Sequence, residues 1–343
     1  MKPVFIIAEA GVNHNGDEAL AIELVEIAAR SGADAVKFQT FSADKLVARG
    51  TAKAAYQSRE TGDGDQHAML KALELSQATH ERLAARCAQV GIEFMSTPFD
   101  AESVDMLLGL GMRRIKVPSG EITNLPFLRY LAGKCVPLVV STGMADMDEI
   151  RQAVDLIRQT WEARGFAPQA DALTVLHCTS NYPAAFSDVN MRALHTIAQG
   201  AGTPVGYSDH TNGTAISIAA VALGATVIEK HFTIDTRMAG PDHSASLDPQ
   251  QLAEMIAAIR AVEQAMGSAT KAPTASELPI RDLVRRSATL TRDIAAGETV
   301  RAADVVLLRP GTGIPPAELD RIDGKRATRK LAAGATLQWA DLA

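Results

Sequence analysis

Eight short apolar segments alternate with longer amphipathic segments along residues 1–267 of this chain. Each apolar segment is bounded by Gly, Pro or polar turn residues and is followed by apolar residues at helical spacing. The alternation predicts eight strand-and-helix units, which is typical of a (β/α)₈ TIM barrel in the α/β class. The predicted strands cover residues 4–8, 35–39, 92–96, 114–117, 136–141, 173–178, 204–206 and 225–230.

A second fold and one unusually long connection also have to be considered. A doubly wound open sheet is the structural alternative, but no GxGxxG motif follows the first strand, which weighs against its nucleotide-binding forms. The clearest helices are predicted over residues 146–164 and 248–266. The connection over residues 41–75 is polar and longer than an ordinary βα loop. We therefore expect it to be an extended active-site loop with some local helix.

The pattern changes after residue 267. Residues 268–281 are rich in Ser, Thr, Ala and Pro, which predicts a linker between a catalytic domain over 1–267 and a second domain. Residues 282–343 predict a small, mostly-β domain with short strands at 287–290 and 305–308. A domain of about 60 residues is near the lower limit for independent stability, so we expect it to pack on the barrel or on another subunit.

Composition and charge exclude several classes of protein. The formal net charge of −6 does not provide the basic field that nucleic-acid binding needs, although a local pocket can still be positive. Cys87, Cys135 and Cys178 are far apart and lack CxxC spacing, which argues against a disulfide framework or a thiolate zinc site. The sequence shows neither a signal-peptide pattern nor an apolar run of about 18 residues, so we expect a cytoplasmic protein without a membrane partner.

Polar residues occur at the carboxyl ends of all eight predicted strands. Barrel enzymes carry their catalytic groups at these ends and on the loops that follow, so one shared site is predicted. In chain order the candidates are Glu9, Lys37, Gln39, Thr97, Lys116, Ser119, Glu121, Ser141, Ser180, Asn181, Tyr182, Ser208, His210, Glu229, His231 and Asp242.

Two of these candidates, Lys37 and Lys116, carry ammonium groups that are costly to bury without a partner. Together with nearby hydroxyl donors they favour a small anion with two or three charges, such as phosphoenolpyruvate. The alternative is a static network in which the lysines pair with Glu9, Glu121 or Glu229. The hydroxyl donors are those of Thr97, Ser119, Ser141 and Ser208.

His210 and His231 end the neighbouring strands 7 and 8. Neutral imidazoles in such positions can converge on one divalent cation, and the pair suits Mn²⁺, Mg²⁺ or Zn²⁺ alike. The alternative is a pair of hydrogen-bonded barrel residues. Further candidate ligands are His14, His177 and His243, and residues expected on the surface are His67, His80 and His195.

Four carboxylates are candidates for proton transfer, which requires a group within hydrogen-bond reach of a reacting atom. Their positions at strand ends weigh against the alternative of helix caps or surface salt bridges. They are Glu9, Glu121, Glu229 and Asp242.

These segments resemble the sialic acid synthase family, and the match covers nearly the whole chain with its motifs in order. From residue 287 onward, the tail resembles the antifreeze-like (SAF) domain of that family through LRPG at 308–311 and GK at 324–325. The barrel motifs are AEAGVNHNG at 8–16, VKFQT at 36–40, STPF at 96–99, KVPSGE at 116–121, STGM at 141–144, SDHT at 208–211, EKHF at 229–232 and GPD at 240–242.

The resemblance implies a TIM barrel followed by a SAF domain of the β-clip type, in a domain-swapped homodimer. It implies binding of phosphoenolpyruvate, an N-acetylated mannosamine-type sugar and a divalent metal, usually Mn²⁺, with Mg²⁺ or Co²⁺ as further options. His210 and His231 match the metal ligands, and Glu9 matches the catalytic glutamate. Arg309 matches a sugar-contacting arginine of the partner subunit's small domain.

The remaining matches concern the two substrates. Where the family tends to place Asn directly after Cys-Thr, this chain has Ser180 and then Asn181, so either residue is a candidate phosphate contact. Glu121, Tyr182 and Asp242 match contacts on the sugar side or elsewhere in the active site. The matched phosphoenolpyruvate contacts are Lys37, Thr97, Lys116, Ser119, Ser141 and Ser208.

The implied reaction is that of a carbon–carbon bond-forming transferase. C3 of phosphoenolpyruvate attacks the aldehyde of the open-chain sugar, water adds at C2, and phosphate leaves by C–O cleavage. The sugar is N-acetylmannosamine or 2,4-diacetamido-2,4,6-trideoxymannose, and residues 45–57 and 121–126 favour the second, which gives N,N'-diacetyllegionaminate. Other hypotheses are a pseudaminate synthase, a Schiff-base aldolase acting through Lys116 or Lys230, and a non-catalytic carbohydrate-binding protein.

Overall fold

The computed structural model describes residues 2–343. The chain forms two compact units that divide between Gly267 and Ser268. Each unit has its own cluster of buried apolar residues. Within residues 2–343, no helix is both long enough and apolar enough to cross a membrane.

The first unit is a near-closed barrel of eight parallel strands, which confirms the predicted fold class. The strands are β1 Phe5–Gly11, β2 Ala35–Thr40, β3 Glu93–Pro98, β4 Ile115–Val117, β5 Leu138–Ser141, β6 Leu173–Cys178, β7 Val205–Asp209 and β8 Val227–His231. Hydrogen-bonded neighbours follow the order β3-β2-β1-β8-β7-β6-β5-β4, and β3 and β4 lie side by side. Several strands run further toward their carboxyl ends than predicted, because polar residues there continue the strand.

Helices follow the strands, and most of them cover the outside of the barrel. They are α1 Glu18–Arg30, α2 Ala43–Leu46, α3 Ala55–Thr61, α4 Gln66–Lys71, α5 Gln77–Val90, α6 Ala101–Gly109, α7 Leu125–Ala132, α8 Met147–Ala163, α9 Ala193–Ala201, α10 Ala215–Ala222 and α11 Pro249–Met266. The two clearest predicted helices are confirmed as α8 and α11. Each begins one residue later than predicted, because Asp146 and Asp248 are N-caps whose carboxylates accept hydrogen bonds from the first turn.

The barrel interior has an apolar layer and, toward the carboxyl ends of the strands, a polar layer. Alternate residues of a strand point to the same side of a sheet, so a residue two positions later on the same strand lies in the next layer of the barrel interior. The apolar layer consists of Ile7, Ala35, Met95, Val139, Leu176 and Val227. The buried residues two positions later are Glu9, Lys37, Thr97, Ser141, Cys178 and Glu229. Strand alternation therefore places candidate site residues directly next to the apolar core.

The long connection between β2 and α5 contains three short helices, α2, α3 and α4. This agrees with the expected extended loop with local helix. Although most of this connection is polar, its residues Phe41 and Leu73 are buried in a small apolar cluster together with Val12, which follows β1. Partly buried residues that pack on this cluster are Leu46, Met69, Leu70 and Phe99.

His80 is buried, so its predicted surface position is wrong. Its Nδ1 donates to the backbone oxygen of Ser76 at 2.9 Å, and its Nε2 lies 2.8 Å from Thr40 Oγ1. The imidazole thus joins α5 to the end of β2. His195 is exposed as expected, and His67 is partly exposed. The prediction that His80 lies in a helix did not indicate whether its side chain faces the barrel or the solvent.

The second unit contains α12 Glu277–Val284 and an antiparallel pair of strands, β9 Ser287–Leu290 and β10 Val305–Leu308. Its buried core includes Leu290, Ile294 and Leu337. Helix α12 begins inside the segment predicted as a linker, because Glu277 accepts hydrogen bonds from Thr274 and closes the first turn. Residues 335–338 contribute one isolated bridge, between Thr336 and Thr289, rather than a strand.

Candidate active site

A cavity of about 450 Å³ opens at the carboxyl ends of the barrel strands. It is lined by all of the predicted site residues of the first unit except Asn181. Asn181 is exposed, and its side-chain oxygen accepts a hydrogen bond from the backbone nitrogen of Tyr182. Ser180 lines the cavity, so of these two candidates the geometry favours Ser180 as a ligand contact.

Two lysines and two glutamates form a buried charge network on the cavity floor. Lys37 Nζ lies 2.8 Å from Glu9 Oε2 and 3.6 Å from Glu229 Oε2, and it donates to Thr97 Oγ1 at 2.8 Å. Lys116 Nζ lies 3.2 Å from Glu229 Oε1. The lysines are therefore paired with carboxylates, as the alternative hypothesis held. Glu229 is shared by both lysines, and the whole network faces the cavity.

The two glutamates of this network have very different pKa values. Burial raises the pKa of Glu9 to about 7, helped by the neighbouring charge of Glu229 and opposed by Lys37. Burial acts in the same direction on Glu229, but Lys116 and Lys37 outweigh it and lower its pKa to about 2. Glu229 is thus a fixed anion, whereas Glu9 can gain or lose a proton near neutral pH. Two carboxylates with pKa values pushed apart are a common arrangement for acid–base work.

Hydroxyl groups and one close-packed glycine form a second wall. Ser119 Oγ accepts a hydrogen bond from Gly143 N at 2.9 Å. A β-carbon on Gly143 would lie 2.1 Å from Ser180 Oγ and 2.8 Å from Ser119 Oγ, so a larger residue would displace these hydroxyl groups. The buried Ser141 hydroxyl has no hydrogen-bond partner within residues 2–343. This wall offers free donors to an anion in the cavity.

His210 and His231 stand side by side, with ring centroids 5.5 Å apart. His210 Nδ1 donates to the backbone oxygen of Thr179 at 2.7 Å, and its Nε2 has one long contact, 3.5 Å from Ser208 Oγ. His231 Nδ1 has no hydrogen-bond partner in the described chain and lies 3.7 Å from Asp242 Oδ2. Burial and the neighbouring His210 lower the pKa of His231 well below its usual range, so its imidazole is neutral.

These histidines fit a divalent cation that takes its other ligands from water or substrate. An unprotonated imidazole nitrogen is a suitable ligand, and His231 is neutral. Burial lowers the pKa of His210, but Cys178 and the Thr179 oxygen outweigh burial and raise it, so a cation at His210 competes with a proton. Over residues 2–343, no group of three or more His, Cys, Asp and Glu side chains is placed to hold a metal. A closed structural site is therefore not formed, and an open site with two protein ligands is the arrangement that the residues allow.

Comparison with known proteins identifies the family. The NeuB family model matches residues 24–271, and the SAF domain model matches residues 285–343. The chain belongs to the NeuB family. The sequence resemblance to sialic acid synthases is thereby confirmed, and so is the SAF domain.

Relatives of this NeuB-family chain include N,N'-diacetyllegionaminic acid synthases. That of Legionella pneumophila is 52% identical over 336 residues, which are 98% of this chain and 93% of the relative. That of Campylobacter jejuni is 46% identical over 330 residues, covering 96% and 97% of the two chains. Among solved structures, an N-acetylneuraminic acid synthetase from Leptospira borgpetersenii in complex with citrate aligns with a TM-score of 0.72 and 32% identity, covering 81% of this chain and 90% of that one.

Several sequence candidates lie elsewhere in this NeuB-family chain. Lys230 is fully buried outside the cavity, where its Nζ lies 3.1 Å from Asp209 Oδ2 and donates to the backbone oxygen of Thr211. Arg309 is an exposed residue of the second unit. Glu121 lies at the cavity rim and accepts a hydrogen bond from Asn124. Three histidines are bound to structural partners and do not line the cavity: His14, His177 and His243.

Sequence reasoning missed two features of the cavity. One is an apolar wall contributed largely by the β2–α5 connection, in which Leu46, Met69 and Phe99 are partly exposed to the cavity. The other is Tyr56 of α3, whose ring lies 5.2 Å from the ring of Tyr182. The length of the connection already predicted an active-site loop, and the apolar residues that recur from Phe41 to Leu73 were the available signal that it forms an apolar wall.

Proposed function

We propose that this chain is an N,N'-diacetyllegionaminate synthase, which condenses phosphoenolpyruvate with 2,4-diacetamido-2,4,6-trideoxymannose and water and releases phosphate. The observation that carries the proposal is the convergence of two lysines, a titratable glutamate and two neighbouring imidazoles on one cavity of a NeuB-family barrel. The similarity to synthases of this product supports the choice of sugar.

Phosphoenolpyruvate is an anion that suits the polar side of the cavity. Lys116 has one carboxylate partner, Glu229, so its ammonium group, which has three donors, keeps donors for a ligand. Lys37 already contacts Glu9, Glu229 and Thr97, so it contributes mainly its positive charge. Phosphate and carboxylate oxygens would also accept hydrogen bonds from nearby hydroxyl groups. The proposed donors are those of Thr97, Ser119, Ser141 and Ser180, and Ser208 is a further proposed contact whose hydroxyl donates to Glu229 Oε1 at 2.9 Å in this structure.

Glu9 is the proposed proton-transfer residue. As C3 of phosphoenolpyruvate bonds to the aldehyde carbon, the aldehyde oxygen takes up a proton and becomes a hydroxyl group. Water then adds to the electron-poor C2. As the C2–O bond to phosphate breaks and C2 becomes a ketone, one proton of that water leaves with the phosphate and the other passes to Glu9, which balances the proton that the aldehyde oxygen took up. A carboxyl with a pKa of about 7 can accept that proton and release it afterwards.

His210 and His231 are the proposed ligands of a divalent cation, for which we propose Mn²⁺. When bound, such a cation supplies Lewis-acid polarisation of a carbonyl oxygen. Tyr182 and Asp242 lie beside the imidazoles. We therefore place the aldehyde end of the sugar at this side of the cavity.

The apolar wall supports a 6-deoxy sugar. Phe41, Leu46 and Met69 present hydrocarbon surface to the cavity. A methyl group at C6 gains from contact with such a surface, whereas a hydroxyl group there would be buried without a hydrogen-bond partner. The acetamido methyl groups can use the same surface. N-Acetylmannosamine has the C6 hydroxyl and lacks the second acetamido group, so it fits this wall less well.

The decisive experiment is phosphate release from phosphoenolpyruvate with each candidate sugar after metal removal by EDTA, with and without added Mn²⁺. We expect release only with sugar and metal together, and a higher kcat/KM for the diacetamido sugar than for N-acetylmannosamine. Covalent trapping by borohydride in the presence of pyruvate would instead identify a Schiff-base lyase. Metal-independent turnover would likewise refute the proposal.

We also propose a cytoplasmic, domain-swapped homodimer, in which residues 1–267 form the catalytic domain, 268–281 link it to residues 282–343, and Arg309 serves the partner's cavity. Co-expression of two inactive variants tests this arrangement. Glu9→Gln and Arg309→Ala variants are each expected to be inactive, and their co-expressed heterodimer should regain one functional site. No recovery in purified heterodimers would show that Arg309 does not act across subunits.

A further inference from the structure

An aromatic stack connects helix α3 to the two cavity histidines. The rings of Tyr56 and Tyr182 lie 5.2 Å apart and are inclined by 33°. Tyr182 in turn lies 4.0 Å from His210 at 30° and 5.4 Å, edge-on, from His231. Tyr182 is therefore held by contacts with both the loop helix and the imidazole pair.

Helix α3 has few other attachments to the barrel. None of its residues is fully buried. The hydrogen bonds of residues 51–63 in the described chain all end within residues 48–69, for example from Lys53 to Thr61 and from Gln66 to Thr51. This segment is thus closed on itself, and the Tyr56 ring is its aromatic contact with a barrel loop.

The position of Tyr56 gives this contact a consequence for the site. Tyr56 lines the cavity together with Tyr182, His210 and Asp242. Its removal would free one face of Tyr182 and detach α3 at the edge where the apolar wall begins. Both changes fall beside His210 and Asp242, where we place the sugar.

We propose that Tyr56 is a positioning residue that seats α3 on Tyr182 and holds Tyr182 against His210, so that the sugar side of the cavity is closed. The identity of the sugar rests on the proposed function, whereas the seating of α3 does not. Burial and the charge of Asp242 raise the pKa of Tyr56 to about 12, so the phenol is neutral. Tyr56 therefore acts through the packing of its aromatic ring and not through a charge.

Limited proteolysis tests the seating without any substrate. Arg59 is an exposed residue of α3, so trypsin cleavage after it reports detachment of the helix. Loss of an aromatic pair shifts a local equilibrium by about three- to tenfold, and we expect Tyr56→Ala to be cleaved after Arg59 faster by that factor. Tyr56→Phe should be cleaved like the unmodified chain. Cleavage after the exposed Lys271, in the second unit, is the internal control and should be equal in all three proteins.

Kinetics test the consequence for the sugar. We expect Tyr56→Ala to raise the KM for the sugar about tenfold while the KM for phosphoenolpyruvate changes less than about twofold, and Tyr56→Phe to restore the sugar KM. Equal increases in both KM values would overturn the assignment to the sugar side. A Tyr56→Phe variant as impaired as Tyr56→Ala would show that the hydroxyl group, not the ring, acts.

The two assays separate this inference from the proposed function. If no candidate sugar supports phosphate release, the proposed function fails, and the cleavage rates after Arg59 still test the seating of α3. If turnover occurs but Tyr56→Ala leaves both the cleavage rate and the sugar KM unchanged, the inference about Tyr56 is wrong and the function stands.

Discussion

Glu229 is the residue on which the buried charges of the cavity depend most. Its two oxygens lie 3.2 Å from Lys116 Nζ and 3.6 Å from Lys37 Nζ, and all three side chains are buried. Replacing Glu229 with Gln keeps the shape of the side chain and removes its charge. Two ammonium groups would then share the remaining carboxylate, Glu9. Removing one partner of a buried ion pair is strongly destabilising, because the other charge is left without compensation.

The magnitude follows from the pKa of Glu229. Burial tends to raise this pKa, but Lys116 and Lys37 lower it from 4.5 to about 2. That difference corresponds to about 3 kcal/mol of stabilisation of the folded state. Because the pKa is lower in the folded state, the stabilisation is present above pH ~4.5 and is lost as the pH falls toward ~2. At pH 7, we expect Glu229→Gln to lower the free energy of unfolding of the barrel by about 3 kcal/mol.

Chemical denaturation at pH 7, with and without phosphoenolpyruvate, measures this change. Phosphoenolpyruvate should stabilise the variant more than the unmodified chain, because its anionic groups compensate the freed ammonium groups. Glu93→Gln is the matched control. It breaks a partly exposed pair with Arg114 near the amino end of β3, where the expected loss is below about 1 kcal/mol. A Glu229→Gln variant no less stable than the Glu93→Gln control would refute the reasoning.

Other predictions concern turnover and binding. Glu9→Gln should lower phosphate release at least ~100-fold while calorimetry still detects phosphoenolpyruvate and Mn²⁺ binding; near-normal turnover would remove Glu9 from catalysis. Because burial raises the pKa of Glu9 to about 7 and the base must be ionised, kcat/KM should rise with pH through this region, and a flat profile would contradict that role. Gly143→Ala would place a methyl group 2.1 Å from Ser180 Oγ, so the KM for phosphoenolpyruvate should rise at least ~10-fold, and an unchanged KM would argue against the serine wall. His231→Ala should weaken Mn²⁺ binding at least ~10-fold in electron paramagnetic resonance titrations. Unchanged Mn²⁺ binding would exclude this residue as a ligand.

Much of the fold was predictable, because local patterns and one general rule determine it. Apolar runs alternating with helical spacing predict the barrel, and the carboxyl-end rule predicts where polar residues gather. Glu9, Lys37 and Lys116 could therefore be placed in one cavity from their positions along the chain. Their mutual distances could not be predicted, because these depend on strand register and on rotamers. The sequence therefore left open whether the lysines pair with carboxylates or bind an anion, and the structure shows the pairing with carboxylates in a network that faces the cavity.

The β2–α5 connection shows what the sequence could not determine. Tyr56 and Met69 lie in short helices whose orientation depends on tertiary packing rather than on a repeated pattern. For the same reason, the burial of His80 was missed, and Ser180 could not be distinguished from Asn181. The contacts of Tyr56 with Tyr182 and of His80 with Thr40 join residues far apart in the sequence, and one sequence contains no information on such pairs beyond general propensity.

The charges of the network explain why the cavity suits an anion even though its lysines already have partners. Burial lowers the pKa of Lys116, whereas Glu229 and Glu9 outweigh burial at Lys37 and raise its pKa. Near neutral pH, Glu229 is ionised and Glu9 is partly protonated, so the carboxylates do not fully balance two ammonium groups. An arriving anion would restore the balance and stabilise the charged form of Lys116. Binding of phosphoenolpyruvate and the proton affinity of Glu9 are thereby coupled, because every added negative charge near Glu9 favours its protonated form.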